Sequence, residues 1–299
     1  MKAQHRDTFT QDRRQPGSQS SPATLKAVVL LASVLMAACP LARAQAGLSL
    51  LRHSADVSTD LALTPLNDED IAEEDPTGSV SSVNIGPIPS VADLDAYHLL
   101  PSGNHLLSFD TTIELPGAVT ASPGDVVLFD GQGYSLAFSA SGHDLPAGLN
   151  LDAVSALNNG DLLASFDASF SFLGEVIDDE DLVRISGGVV SVYLDGSSEG
   201  VPTPLDVDAI HYVEGEGTLL LSFDSSGGIG GLRFDDEDVV AYEPSTGIWS
   251  MLYDGSAEHA GWSKADLDSL YAGFLPAEIF SDGFESGTLA EWSAVSGQN

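Results

Sequence analysis

The sequence predicts an all-β protein: a four-bladed β-propeller-like ring of four-stranded antiparallel sheets, closed by the C-terminal strand. Three observations predict this fold. One strand-rich unit recurs about four times, the first unit lacks its first strand, and a surplus strand follows the last unit. No long stretch with the 3.6-residue helical period occurs after residue 46. A β-sandwich made by pairing the units is the alternative.

The repeat is recognised by a short strand that begins with a hydrophobic residue and an aspartate. Leu94-Asp95-Ala96 recurs at Asp152, Asp208 and Asp268, with spacings of 57, 56 and 60 residues. Strand two carries Ser-Phe-Asp, as in Ser108-Phe109-Asp110, and we align Arg52-His53-Ser54 of the first unit with it. Turns rich in Gly, Asn and Pro separate the strands. The predicted repeats are about 47–93, 94–150, 151–206 and 207–266, followed by a closing strand at 267–274.

The two ends of the repeat region favour a closed ring. The chain enters at strand two near residues 47–51, and residues 267–271 form an additional strand one. The C-terminal strand is expected to complete the first sheet, because this pairing removes two open sheet edges. The alternative for residues 264–272 is a short helix with Ser263 as its N-cap.

The N-terminal segment predicts export. Lys26, an apolar run at 27–38 and small residues at 42–46 have the pattern of a secretory signal peptide, preceded by a polar N-terminal extension. Residues 1–46 are therefore expected to direct the protein to the periplasm, the cell surface or the medium. The alternative is a lipoprotein attached through Cys39.

The net negative charge limits the classes of partner that the protein can bind. The 299 residues carry a net charge of −35, and only four Lys and Arg follow residue 43. Nucleic acid is excluded as a partner, because proteins bind it mainly through Lys and Arg. No segment after residue 46 has the length and apolarity of a membrane span. The expected partner is a protein, a glycan or a cationic ligand; the oligomeric state stays open, and acidity that serves only solubility is the alternative.

Two strings carry a resemblance to known proteins. The predicted tail at 275–299 contains Asp282-Gly283-Phe284-Glu285-Ser286-Gly287, which resembles a short C-terminal segment on many exported proteins of gammaproteobacteria. The repeats, with strings such as Leu-Leu-Ser-Phe-Asp at 106–110 and Asp-Asp-Glu-Asp-Val at 235–239, resemble those of uncharacterised exported bacterial repeat proteins. The resemblance implies an exported repeat domain and supplies no catalytic residue.

Two sets of aspartates recur by position and are candidate calcium ligands. Converging carboxylates repel one another unless a cation lies between them or their pKa values rise, and calcium prefers oxygen ligands. The alternatives are aspartates that cap turns within their own blade, for the first set, and turns that are merely solvated, for the second. The first set opens strand one beside the predicted channel, and the second precedes strand three: Asp95, Asp152, Asp208 and Asp268; Asp70, Asp125, Asp181 and Asp238.

Other motifs give little support for catalysis. The string at 196–200 matches Gly-x-Ser-x-Gly, but Val201-Pro202 follows where a nucleophile elbow needs a helix. His98 and His211 share one repeat position, without a third predicted zinc ligand. The sequence therefore predicts a non-catalytic binding or interaction module, with calcium as the candidate stabilising ion. A propeller hydrolase of a sugar or phosphoester and a structural cell-surface protein are the alternatives.

Overall fold

The structure is a computed structural model that describes residues 47–275. The predicted signal peptide, Cys39 and the tail from residue 276 onward lie outside the described residues. Within residues 47–275, no helix has the length and apolarity that a membrane crossing requires.

The described chain forms 24 β-strands that follow the predicted repeat. The first repeat contains β1 (Leu48–Ser54), β2 (Thr59–Leu61), β3 (Thr64–Leu66), β4 (Ile71–Glu74) and β5 (Val80–Val83). The second contains β6 (Ala96–Leu99), β7 (His105–Ser108), β8 (Ile113–Leu115), β9 (Val119–Ala121), β10 (Val126–Phe129) and β11 (Tyr134–Phe138).

The third repeat contains β12 (Ala153–Ala156), β13 (Leu162–Ser165), β14 (Phe170–Phe172), β15 (Glu175–Ile177), β16 (Leu182–Ser186) and β17 (Val189–Leu194). The fourth contains β18 (Val207–Val213), β19 (Thr218–Phe223), β20 (Gly227–Ile229), β21 (Leu232–Phe234), β22 (Val239–Glu243) and β23 (Ile248–Tyr253). The short helix α1 (Gly255–Glu258), a 3₁₀ turn at Ala260–Lys264 and the final strand β24 (Ser269–Phe274) follow.

Four antiparallel four-stranded sheets form the blades of a closed ring. Their strand orders are β24-β1-β4-β5, β6-β7-β10-β11, β12-β13-β16-β17 and β18-β19-β22-β23. The innermost strands β6, β12, β18 and β24 contact one another in cyclic order, which places them around the central channel. The predicted four-bladed propeller is therefore confirmed, and the sandwich alternative is wrong.

The C-terminal strand closes the ring as predicted. β24 pairs antiparallel with β1, and Ser54 lies opposite Ser269. The helix considered for residues 264–272 is wrong, because only a short 3₁₀ turn ends at Lys264 before the extended strand begins. β24 supplies backbone hydrogen bonds to the open edge of β1. A helix at this place would leave that edge unpaired.

The position of a strand in its blade explains which of its residues are buried. Every residue of β19 is buried, since neighbouring blades cover both of its faces. The outer strand β17 mixes buried Val190 and Leu194 with exposed Val189 and Tyr193, since it lies at the edge of its sheet. The apolar clusters are formed mainly between successive blades, so each blade depends on its neighbours for its core.

A two-stranded hairpin extends from each blade between strands two and three, a feature that the sequence analysis missed. These hairpins are β2–β3, β8–β9, β14–β15 and β20–β21. In the first hairpin the turn residues Ala62 and Leu63 have φ of 48° and 69°, a conformation that usually favours glycine. The hairpins leave from the end of the ring at which strand one begins, so we call this end the hairpin face.

Candidate functional site at the acidic mouth of the ring

Four predicted aspartates meet at the channel opening on the hairpin face. Each lies at the start of one of the four innermost strands, and these strands surround the channel. The repeat therefore brings four equivalent carboxyl groups to one opening, which we call the acidic mouth. We call this set the inner ring: Asp95, Asp152, Asp208 and Asp268.

Three members of the inner ring have no bonding partner. Asp152 and Asp268 are 6% and 8% exposed, and no hydrogen bond or ion pair joins the side chain of Asp152, Asp208 or Asp268 to another group within residues 47–275. Asp95 alone has a partner, because Asn150 Nδ2 donates to its Oδ2 at 2.6 Å. None of the oxygens of the other three is fully enclosed, so water at the mouth is the donor left to them, and this arrangement needs a physical explanation.

A second ring of polar residues, which the sequence analysis missed, lies two residues before the first. The buried Oδ1 atoms of Asp93, Asn150 and Asp206 have no hydrogen-bond partner within the described chain. In the fourth member, Asp266, Oδ1 accepts from the backbone N–H of Leu267. We call this set the outer ring: Asp93, Asn150, Asp206 and Asp266.

A third set of aspartates fastens strands one and two of each blade. Asp110 Oδ1 accepts from the backbone N–H of Asp93 at 3.1 Å, and the N–H of Asp110 donates to the carbonyl of Asp93 at 3.2 Å. The same pair of bonds recurs in every blade. We call these the clasp aspartates: Asp56, Asp110, Asp167 and Asp224.

The clasp corrects the alignment of the first repeat. Ser54 lies opposite Ser269, as Ser108 lies opposite Ala96, so Ser54-Ala55-Asp56 is the counterpart of Ser-Phe-Asp. Asp56 makes the clasp to the N–H of Asp266 at 2.6 Å. The alignment on Arg52-His53-Ser54 is wrong because Ala55 replaces the Phe that marks the motif elsewhere.

The mouth favours bound protons or cations over free carboxylates. Burial, with the charge of Asp206 and other neighbouring aspartates, raises the pKa of Asp152 to about 10. Burial raises the pKa of Asp95 to about 7 against the opposing hydrogen bond from Asn150. Burial and the charge of neighbouring aspartates also raise the pKa of Asp208 and Asp268 well above the ordinary value. At neutral pH this end of the channel therefore holds protons unless positive charge replaces them.

The outer ring has the same tendency. Burial and the nearby aspartates raise the pKa of Asp93 and of Asp206 to about 8. Burial, opposed by the N–H of Leu267, raises the pKa of Asp266 to about 8. The neutral Asn150 interrupts the outer ring on one side, which makes the mouth asymmetric.

The second predicted set of aspartates is engaged by the backbone. Asp125 accepts from the N–H groups of Ser122 and Ala140 at 3.0 and 3.1 Å, and Asp181 and Asp238 make equivalent pairs of bonds. Asp70 accepts from the backbone N–H and Nδ2 of Asn67. The solvated-turn alternative is wrong for Asp125, Asp181 and Asp238, which are 5 to 6% exposed because their oxygens tie strand three to the link after strand four.

Calcium stays a prediction at both sets. Within residues 47–275, no three His, Cys, Asp or Glu side chains are already arranged around one metal position. The inner ring has free carboxyl oxygens, whereas those of Asp125, Asp181 and Asp238 already accept backbone hydrogen bonds. Of the two predicted sets, the inner ring is thus the better candidate for a cation.

Below the mouth, a neutral cluster fills the channel. His98 and His211 stack with ring centroids 5.7 Å apart, and Tyr271 meets His211 edge-on at 4.8 Å. Burial lowers the pKa of His98 to about 4, and burial together with the neighbouring His98 lowers the pKa of His211 well below its ordinary value. Ser155, the fourth residue at this position, accepts from the N–H of Tyr212. The histidines face each other but stack, so they do not aim their nitrogens at a shared ligand.

The features considered for catalysis lie elsewhere. Residues 197–199 form a 3₁₀ turn in which Ser197 and Ser198 donate to Asp195, so this Gly-x-Ser-x-Gly string forms no strand-to-helix elbow. A cavity of about 420 Å³ lies on the outer part of the fourth blade, away from the channel. It is lined by Ser226, Arg233, Asp235, Asp238, Met251 and Asp254, among others.

Comparisons with known proteins identify no family. No protein-family model matches the chain, and no curated protein matches it significantly. A crystal structure of virginiamycin B lyase from Staphylococcus aureus aligns at 10% identity and a TM-score of 0.32, covering 69% of this chain and 55% of the lyase. A protein of unknown function from Bacteroides caccae aligns at 12% identity and a TM-score of 0.39, covering 75% of this chain and 98% of that one. The chain thus spans about half the length of the lyase, and these low scores carry no statement about activity.

Proposed function

We propose that this protein is an exported, non-catalytic binding module that takes a cationic ligand at the acidic mouth, with calcium as the first candidate. The observation that supports it best is the inner ring. No group within residues 47–275 donates a hydrogen bond to three of its four carboxyl groups, and two of these residues are more than nine-tenths buried. A cation is the partner that such groups lack.

The electrostatics of the mouth support a cation of more than one positive charge. The inner ring, the outer ring and the clasp place eleven aspartates and Asn150 at one end of the ring. Of the four bases within residues 47–275, Arg52 binds Glu73 and Arg184 binds Asp161, whereas Arg233 and Lys264 lie on the hairpin face and are far outnumbered by these aspartates. A divalent ion or a polyamine would neutralise several carboxylates at once, whereas a monovalent ion would leave most of the repulsion in place.

The expected ligand stays at the entrance rather than passing through the channel. The neutral cluster of His98, His211 and Tyr271 fills the interior beneath it. Because no three His, Cys, Asp or Glu side chains of the described residues already surround one metal position, calcium would keep part of its water shell or draw the carboxylates closer together. An organic cation would instead place its ammonium groups among them. Both share the same chemistry, and the experiment separates them.

Binding is tested by thermal unfolding and calorimetric titration of the full-length protein at pH 8. Calcium, magnesium and spermidine are titrated separately after treatment with chelator. At a ligand concentration of about 100 Kd, we expect about 2.7 kcal/mol of stabilisation, or roughly 5 to 10 °C in Tm. The cation that gives the larger shift identifies the ligand class.

Two variants test whether the cation binds at the acidic mouth. Asp268→Asn is expected to weaken binding at least about tenfold, because it removes one unpaired carboxylate from the mouth. Glu216→Gln removes the same charge from an exposed turn at the opposite end of the ring and should leave binding unchanged. Equal loss in the two variants, or no binding of any of the three cations, would contradict the proposal.

A further inference from the structure

A second cluster of titratable side chains lies at the junction where the fourth blade meets the first. Glu74 ends β4 of the first blade, and Tyr253 ends β23 of the fourth. His259 and Trp262 belong to the link that leads to the closing strand. With His53 of β1 they form a group that we call the latch, whose members are 0 to 8% exposed: His53, Glu74, Tyr253, His259 and Trp262.

The latch is joined by hydrogen bonds that cross the junction. Trp262 Nε1 donates to Tyr253 Oη at 3.1 Å, and Tyr253 Oη donates to Glu74 Oε2 at 3.0 Å. The imidazoles lie on both sides of the same carboxylate. His259 Nε2 is 3.1 Å from Glu74 Oε1, and His53 Nε2 is 3.6 Å from Oε2. One carboxylate thus connects residues more than 170 positions apart in the chain.

The imidazoles are incompletely satisfied. Both ring nitrogens of His53, and Nε2 of His259, are buried without a hydrogen bond of good geometry within the described chain. The separation of 3.6 Å from His53 Nε2 to Glu74 is too long for a strong hydrogen bond. Trp262 packs against His53 with ring centroids 5.1 Å apart, which keeps water away from it.

The other junctions have neither a histidine nor a carboxylate at these positions. By strand register, His53 and Glu74 correspond to Leu107 and Phe129 in the second blade. The third and fourth blades place Ala164 with Ile185 and Leu221 with Tyr242 there. Among the four junctions, only the one that closes the ring depends on imidazoles and a carboxylate at this depth.

We propose that the latch is an acid-sensitive fastening: protonation of buried His53 releases the closing strand β24 from β1 before the rest of the ring unfolds. A proton on His53 would place a positive charge in a dry site, where the hydration of that charge cannot be recovered. The proposal is independent of the cation site, since it rests on different residues.

The direction of the pH effect follows from the shifted groups. Burial lowers the pKa of His53, and the neighbouring His259 lowers it further, whereas the hydrogen bond and the charge of Glu74 act in the opposite direction. Stability from neutral His53 is therefore present above pH 6.5 and declines as the pH falls below that value. Burial alone would raise the pKa of Glu74, but His53, His259 and Tyr253 hold it below its ordinary value of 4.5, so its contribution is lost at still lower pH. Glu258 is the remaining charged group that acts on this cluster, through Tyr253.

The acidic mouth has the opposite pH dependence, which makes the test sharp. Asp268 immediately precedes β24, and protonation of the mouth relieves repulsion there as the pH falls. Acid should therefore strengthen the attachment of β24 if the mouth alone decided it. Loss of this attachment in acid would point to the latch.

Amide hydrogen exchange of the full-length protein measures that attachment. After correction for intrinsic exchange rates, we expect the protection of β24 amides to fall at least about tenfold from pH 7 to pH 5. β19 amides should change by less than about threefold. In His53→Leu/Glu74→Phe, which installs the residues of the second blade, the difference between β24 and β19 should vanish.

The controls keep the inference falsifiable. His143→Gln changes a histidine in the link of the second blade, where His143 stacks on Phe138 at 4.8 Å, and should behave as the wild type. If the double variant does not fold, His259→Gln alone is expected to move the midpoint of the β24 transition by at least about half a pH unit. Parallel changes in β24 and β19, or an unchanged transition in a folded latch variant, would overturn the inference.

Discussion

Asp152→Asn removes one of the inner-ring carboxyl groups while keeping nearly the same shape. The folded protein raises the pKa of this group from 3.8 to about 10. A raised carboxyl pKa contributes its stability below pH 3.8, and that stability is lost as the pH rises toward 10. At pH 7 the loss amounts to at most about 4 kcal/mol, and relaxation or bound counter-ions will reduce it.

The substitution should therefore stabilise the cation-free protein near neutral pH. We expect a gain of about 1 to 3 kcal/mol at pH 7, or roughly 3 to 10 °C in Tm, and almost none at pH 4. Asn150 shows that an amide fits this environment, since it donates to Asp95 at 2.6 Å. Urea unfolding in chelator across pH 4 to 8 measures the effect. Destabilisation at pH 7, or an equal change at pH 4 and pH 7, would refute the electrostatic account of the mouth.

Two further predictions concern the blades themselves. Asp167→Ala removes the clasp oxygen that accepts from the N–H of Asn150 at 2.9 Å. Urea unfolding should show a loss of about 1 to 2 kcal/mol in the free energy of unfolding, similar to the loss of a helix cap. An unchanged midpoint would show that the clasp does not stabilise the blade. Leu63→Gly should stabilise the protein by about 1 kcal/mol, because Leu63 is 97% exposed and has φ of 69°. The control is Val91→Gly, which changes an exposed apolar residue outside such a turn and should not raise the urea midpoint.

The ring could be predicted from the sequence because each blade repeats one pattern. The missing first strand and the surplus strand near residue 267 determined closure, and β24 does pair with β1. The inner ring was predictable for the same reason, since an aspartate recurs four times at one position. The tip of the first hairpin was not, because its Ala62 and Leu63 carry none of the glycine that marks such turns.

The outer ring and the latch were not predicted from the sequence, because their residues depart from the repeat. The outer ring has a readable signal, Asp-x-Asp at Asp93, Asp206 and Asp266, but Asn150 interrupts it. The latch has no such signal, since His53, Glu74 and His259 occur once and meet only through ring closure. The available clue was a histidine and a glutamate at positions where the other blades have neither. That clue becomes visible only when strand register supplies the correct alignment.

Proton release during cation binding tests the central claim most directly. If a cation binds carboxyl groups that hold protons at pH 7, binding must release protons to the buffer. Titration of the full-length protein with the tightest-binding cation, in two buffers of different ionisation enthalpy, counts them. We expect about one or more protons released per cation, and fewer in Asp152→Asn. Binding without proton release, or the same release in Asp152→Asn, would show that the cation does not bind at the acidic mouth.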